Sequence, residues 1–309
     1  MQTTQKIDDS LEGAPAAYRT PAVRPTLEEA KAWCKNLAET HYENFHVATW
    51  FLPKQLRPHF QNIYAYARVA DDLGDEVGDP VLATALLTSW RAMLDECYDA
   101  PERSRHPVFV ALAETVRECN IPREPFADLL VAFTRDQTKT RYETVAELED
   151  YSRYSANPVG RLVLYAAGVD APRLHKLSDK VCTGLQLANL WQDVAEDYVN
   201  GRVYIPAEEM RRFGVTEQNV VERRCTPEYR AMMKSLVDHT KALFAEGRFL
   251  CTLIDKELAV TIGLFIDGGE AILHEIETME YNTLERRPSL SKLTKARLLA
   301  KALWGKVCA

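Results

Sequence analysis

Asn189-Leu-Trp-Gln-Asp-Val-Ala-Glu-Asp-Tyr-Val-Asn-Gly-Arg-Val-Tyr-Ile-Pro206 carries more chemistry per residue than any other stretch of the chain. Its apolar residues recur at helical rather than alternating spacing, and Gly201 stands where a helix would stop. The pattern predicts one amphipathic helix from Lys180 to Asn200. Asp193 and Asp197, four apart, then lie one above the other on a single face, with Asn189 a turn earlier and Gln186 three residues before it. Two stacked carboxylates repel, and burying them without compensation is costly. Leu185, Leu187, Leu190, Val194 and Ala195 make the other faces apolar, so the helix is expected to be largely enclosed. A divalent cation would compensate the acids. Mg²⁺ prefers hard oxygen ligands and is commonly held by one or two carboxylates together with substrate phosphates. A solvated or arginine-paired helix face is the simpler alternative.

A second column of the same kind lies upstream, in Tyr64-Ala-Tyr-Ala-Arg-Val-Ala-Asp-Asp-Leu-Gly-Asp-Glu76. Asp71 and Asp75 are four apart, Asp72 and Glu76 repeat the spacing, and Arg68 and Tyr64 continue that face toward the helix start. Two acidic pairs on two helices can face each other across a bundle and hold metal ions, with a polyanion such as diphosphate between them.

Composition bounds what such a protein can be. The chain has 309 residues, 46% hydrophobic and 27% charged, as expected of a globular protein large enough for a substantial core. A net charge of −7 argues against a nucleic-acid partner, which would need a basic face. Local arginines can still bind an anionic small molecule. The seven cysteines, at 34, 97, 119, 182, 225, 251 and 308, are scattered and form no CxxC pair, which suits a reducing, cytoplasmic setting and shows no zinc site. No secretory signal and no spanning segment is legible; the longest apolar run, Leu258 to Ile266, reads as a core helix.

In chain order, residues 1–25 hold three prolines and no period and read as a flexible leader. Thr26-Leu-Glu-Glu29 has the form of a capping box and opens a helix to about Thr40. His41 to Leu52 begins polar and turns apolar, as a helix entering a core does, and Pro53 breaks it. Further helices are expected over Pro80 to Cys97, Pro107 to Cys119 and Glu124 to Thr138, followed by the polar run Asp136 to Tyr142. Asn157-Pro-Val-Gly160 marks a kink or break after Glu147 to Ala156. Beyond the central helix follow Pro206 to Phe213, Pro227 to Glu246, Lys256 to Tyr281 and Ser291 to Lys306. No strand-like alternation is legible, so the expected fold is all-α, one domain over 26–309.

The two acidic helices resemble the all-α head-to-head prenyl synthases, the family of squalene and phytoene synthases, over roughly His41 to Pro206 plus a helical tail. The resemblance implies an isoprenoid-synthase-type bundle with a central cavity, in which Mg²⁺ held by Asp71, Asp72 and Asp75 and by Asp193 and Asp197 binds the diphosphate of a prenyl substrate. It also implies catalytic roles for Tyr64, Arg68, Tyr151, Asn189, Gln192 and Tyr204. Substrate contacts fall to His41, Asn44, Phe45, Arg68, Gln186, Asn189 and Arg202. Arg141-Tyr142 and the small residues Ala156, Val159 and Gly160 match as well. Within the family, Glu43-Asn-Phe45, Ser155 to Arg161 and Trp191-Gln-Asp193 look most like the hopanoid-pathway member that converts presqualene diphosphate to hydroxysqualene. Squalene and phytoene synthases often hold an arginine where this chain has Gln192. The alternative is condensation of two prenyl diphosphates. Contact with a membrane that stores an oily product is compatible with either, and no partner protein is evident.

Two other classes place acids on facing helices. A di-iron bundle needs Glu-x-x-His on each of two helices, and the chain has it once, at Glu43 to His46. A non-catalytic helical scaffold would leave both acidic columns solvated. Magnesium-dependent binding of a prenyl diphosphate separates it from an enzyme.

Overall fold

Thr26 and Glu29 cap the first helix reciprocally. The Thr26 amide donates to the Glu29 carboxylate at 2.8 Å, and the Glu29 amide donates to Thr26 Oγ1 at 3.3 Å. In this computed structural model, which describes residues 11–41 and 52–307, the elements are all helical apart from one isolated bridge, Arg141 to Val203. The chain forms two compact units: residues 1–138 with 162–169, and residues 139–161 with 170–309.

The first unit is built from α1 (Leu27–His41), α2 (Arg57–Asp75), α3 (Pro80–Asp99), α4 (Pro107–Cys119) and α5 (Arg123–Asp136). Proline stands in the first turn of α2, α3 and α4, where its missing N–H costs nothing. Asp79 caps α3 by accepting from the Val81 amide at 2.9 Å. His106 caps α4: its Nδ1 accepts from the Val108 amide, so the proton sits on Nε2, which donates to the Tyr18 carbonyl at 3.0 Å. The core is an aromatic cluster. Tyr66 meets Phe126 edge-on at 5.0 Å, Trp90 lies 4.5 Å from Phe109, and the Tyr66 hydroxyl donates to the Phe126 carbonyl.

The flexible leader expected over residues 1–25 does not hold for residues 11–18. Leu11, Ala14 and Tyr18 are buried in this core, because the segment carries enough apolar surface to dock even though it has no helical period. The helix expected within residues 42–51 lies outside the described residues.

The second unit contains α6 (Val145–Ser155), the start of α7 (Asn157–Ala166), α8 (Pro172–Gln192), α9 (Val194–Val199), α10 (Ala207–Phe213), α11 (Glu217–Val221), α12 (Pro227–Gly247), α13 (Lys256–Thr278) and α14 (Lys292–Val307). Helix α8 packs on α12 and α13 around Phe244. A β-carbon on Gly184 would stand 2.9 Å from that ring and one on Gly269 2.5 Å, so glycine is what lets the three helices close on it. The Trp191 indole donates to Thr240 Oγ1 at 2.8 Å.

The continuous helix expected from Lys180 to Asn200 is a correction. It begins earlier, at Pro172, and is interrupted at Asp193, whose φ of −103° and ψ of 11° leave the helical well. Hydrogen bonding carries through the break: the Asp193 amide donates to the Asn189 carbonyl at 2.9 Å and the Asp197 amide to the Asp193 carbonyl at 2.8 Å. Gly201, at φ 77°, ends α9 as its sequence position predicts.

Candidate active site

In the first unit the acidic column sits on the last turns of α2, and the structure splits the expected set. Asp72 is buried. The Tyr18 hydroxyl donates to its Oδ2, Arg68 Nε donates to the same oxygen at 3.0 Å, and Arg68 Nη2 pairs with Oδ1. Both oxygens are thus committed within the protein, and Asp72, expected as a metal ligand, acts as an anchor that fixes Arg68 and the Leu11–Tyr18 segment. Arg68 also lies 3.8 Å from Asp71 and 3.6 Å from Glu76, so one guanidinium balances three acids. Asp71 is half-buried and Asp75, one turn on, is exposed. Burial, then the Asp75 carboxylate, pushes the Asp71 carboxyl up to about 6, with Asp136 adding to the repulsion. Half-buried Tyr64 lies one turn before Arg68 on the same face.

In the second unit Asp193 and Asp197 flank the helix break. Burial and the neighbouring Asp193 push the Asp197 carboxyl up to about 7, against the opposing pull of Arg202. Asp197 Oδ2 is buried without a hydrogen-bond partner. Asp193 is held instead by Arg287, whose Nε donates to Oδ1 at 2.5 Å and whose Nη2 donates to Oδ2 at 3.2 Å; Nε also lies 3.3 Å from Glu196. Sequence reasoning missed Arg287. The signal available was the run Arg286-Arg287-Pro288 after the longest helix. Gln186 is half-buried and Asn189 exposed on the turns of α8 that lead to Asp193. Gln192 is buried, and its Nε2 donates to the Pro288 carbonyl at 2.6 Å, so the segment carrying Arg287 is tied to α8 beside the acid it pairs with.

Three tyrosines separated in sequence meet in this unit. Tyr204 stacks on Tyr142 at 5.6 Å and on Tyr151 at 6.0 Å, and Tyr142 lies 5.4 Å from Tyr151; all three are buried. Lys139 Nζ stands 4.7 Å over the Tyr142 ring. The strands of chain that bring them together are extended segments side by side: the Val203 amide donates to the Thr140 carbonyl and the Ala207 amide to the Tyr142 carbonyl. Arg141 locks the arrangement by a two-pronged pair with Glu217, at 2.8 and 3.0 Å, and a bond to the Gly201 carbonyl at 2.7 Å. Asn44, Phe45 and the His41 side chain, expected as substrate contacts, lie outside the described residues.

The acids fit a divalent cation. Asp71 and Asp197, whose carboxyls are pushed up first by burial and then by a neighbouring carboxylate, the latter with a buried oxygen lacking a hydrogen-bond partner, are relieved by positive charge. Among the described residues no three His, Cys, Asp or Glu side chains are grouped to hold a metal alone, so a cation at either motif would complete its shell with water or phosphate oxygens.

The squalene/phytoene synthase family profile matches residues 38–294. The chain is 40% identical to a squalene synthase, HpnC, of Alicyclobacillus acidocaldarius, with a TM-score of 0.79 over 88% of this chain and 99% of that one. A dehydrosqualene synthase solved with a ligand shares the fold, with a TM-score of 0.80 over 92% of this chain and 98% of that one at 24% identity. Phytoene synthase 3 of Zea mays is 27% identical over 301 residues, 94% of this chain and 70% of the relative, and phytoene synthase 1 of Solanum lycopersicum is 26% identical over 87% of this chain and 66% of the relative. With a family match across most of its length and an all-α fold shared with a solved relative 40% identical to it, the chain belongs to the squalene/phytoene synthase family of head-to-head prenyl diphosphate synthases.

Proposed function

We propose that this chain converts presqualene diphosphate and water to hydroxysqualene and diphosphate. The carbon–oxygen bond to diphosphate breaks with both electrons leaving on diphosphate, water adds to the resulting carbocation, and a proton is lost. The observation that carries this reading is position 192. A buried, neutral glutamine stands where squalene and phytoene synthases often hold an arginine, and its amide is spent on the Pro288 carbonyl. Near a buried diphosphate, one missing charge pair costs about 2 to 5 kcal/mol, which weakens a site for a second diphosphate far more than it weakens the release of one.

Mg²⁺ bound at either acidic motif would neutralise the departing diphosphate. Arg68 and Arg202 add fixed positive charge beside the acids of their own units. The stacked Tyr142, Tyr151 and Tyr204 supply π faces suited to steadying a cation.

The second reading, condensation of two prenyl diphosphates, is favoured by the names of the similar proteins, squalene synthase and phytoene synthase. Purified protein incubated with Mg²⁺ and presqualene diphosphate, without a nicotinamide cofactor, is expected to release hydroxysqualene carrying ¹⁸O from labelled water. Equal or faster conversion of farnesyl diphosphate to squalene with NADPH, or to presqualene diphosphate alone, would select the second reading. An unlabelled alcohol would exclude solvent capture. EDTA is expected to abolish turnover and added Mg²⁺ to restore it.

A further inference from the structure

Helix α14 carries five basic residues, Lys292, Lys295, Arg297, Lys301 and Lys306, and no acid, in a chain whose net charge is −7. The rest of the chain therefore carries −12, so the basic charge on this helix is a local feature against an acidic background. Leu293, Arg297, Ala300 and Trp304 fall at i, i+4, i+7 and i+11, one stripe along the helix, and all four are exposed, Leu293 by 71% and Trp304 by 74%. The stripe is about 16 Å long at 1.5 Å per residue. The opposite side does the packing: Ala302 is buried, and a β-carbon on Gly305 would lie 3.3 Å from Val260 of α13.

The surface continues onto neighbouring elements. Asp267 of α13 accepts from Arg248 at 2.9 Å and from Lys301 at 2.5 Å, pinning the turn 248–252, α13 and α14 at one junction. Among the described residues, the Phe and Trp side chains that stand well exposed are Phe249, Phe265 and Trp304, one from each of these three elements. Exposed aromatics flanked by lysine and arginine match the chemistry of a bilayer interface, where the rings lie at headgroup depth, Leu293 reaches the acyl boundary and the long basic side chains, Arg297 among them, reach anionic headgroups. A second copy of this chain is a poorer occupant, because a two-fold contact would set the same cations against each other.

We propose that α14, with Phe249 and Phe265 beside it, is an interfacial docking surface for anionic lipid bilayers. The inference rests on this surface and holds for either reading of the reaction. The test is flotation of the full chain with vesicles of phosphatidylcholine alone or mixed with phosphatidylglycerol. Wild type is expected to float with the anionic vesicles, to stay behind with the neutral ones, and to be released by raising salt from about 0.1 M to about 0.5 M. Trp304→Ser with Leu293→Ser, and separately Lys292→Gln with Lys295→Gln and Arg297→Gln, should each weaken partitioning about tenfold or more. Both variants change exposed side chains, so thermal unfolding and turnover of detergent-dispersed substrate should stay as in wild type. Absence of wild-type flotation with either vesicle, or flotation unchanged in both variants, would overturn the proposal. So would self-association of the lipid-free chain that the Trp304 variant abolishes.

Discussion

The two acidic motifs share one sequence spacing and reach opposite solutions to the same electrostatic problem. On α2 the helix is unbroken and the neutralising cation is local: Arg68, on the same face, is clamped by buried Asp72, and Tyr18 closes the remaining side. At the end of α8 the helix breaks at Asp193, and the cation comes from 94 residues away, as Arg287, while Asp197 keeps a buried oxygen with no partner. One motif is served by a guanidinium on its own helix; the other depends on a distant segment and leaves one Asp197 oxygen without a hydrogen bond. Identical i, i+4 spacing therefore does not imply identical function. Asp72, with both oxygens bonded inside the protein, serves the fold, whereas Asp197 keeps one buried oxygen that no hydrogen bond reaches.

The sharpest way to break this contrast is to neutralise one acid of each motif. Asp193→Asn and Asp75→Asn are each expected to lower turnover about a hundredfold or more while circular dichroism stays that of wild type, because each removes metal-binding charge rather than packing. Unchanged turnover in Asp193→Asn would remove the metal role from the second motif.

Asp72→Asn tests the opposite role in the first motif. It strips the charge that pairs Arg68 and is expected to cost about 3 kcal/mol of stability, read by denaturant unfolding. Asp71→Asn, one residue away and only loosely paired with Arg68 at 3.8 Å, should cost under about 0.5 kcal/mol. Equal losses would mean that Asp72 is no more an anchor than its neighbour.

The raised Asp197 carboxyl has a signature in pH. Its folded carboxyl, raised to about 7, lies above its unfolded value of about 4. A raised folded value means that the protonated form is the one folding favours. Its contribution is fully present below about pH 4 and is lost as pH rises through 7. Allowing for partial exposure, metal-free protein should lose about 2 kcal/mol over that window relative to Asp197→Asn, whose amide does not titrate. Parallel stability curves for the two proteins would contradict the assignment.

The smallest effect is expected at Arg287. Its side chain is 45% exposed, so Arg287→Gln should cost less than about 1 kcal/mol of stability. Because Arg287 occupies Asp193, its removal should also tighten Mn²⁺ binding to the substrate-free protein severalfold by calorimetry. Weaker binding would make Arg287 a helper of the cation rather than a competitor.

The sequence by itself determined the features that depend on neighbours along the chain. The 3.6-residue period marked an all-α fold, the Thr26-Glu29 box opened α1, Gly201 closed α9, and the four-residue spacing put Asp71 with Asp75 and Asp193 with Asp197. Each rests on interactions within about one helical turn, which composition and spacing encode directly. Tertiary structure alone decided which of these acids are spent. Tyr18 reaches Asp72 across 54 positions, from a segment whose prolines read as a loose leader, and Arg287 reaches Asp193 across 94. Tyr142, Tyr151 and Tyr204 become one stack only because two extended segments run side by side, and α14 turns Trp304 outward because its other side packs on α13. A side chain's reach is a few ångströms in any direction, whereas sequence pattern reports only the direction along the chain. The choice of partner for a charge or a ring is therefore settled by packing.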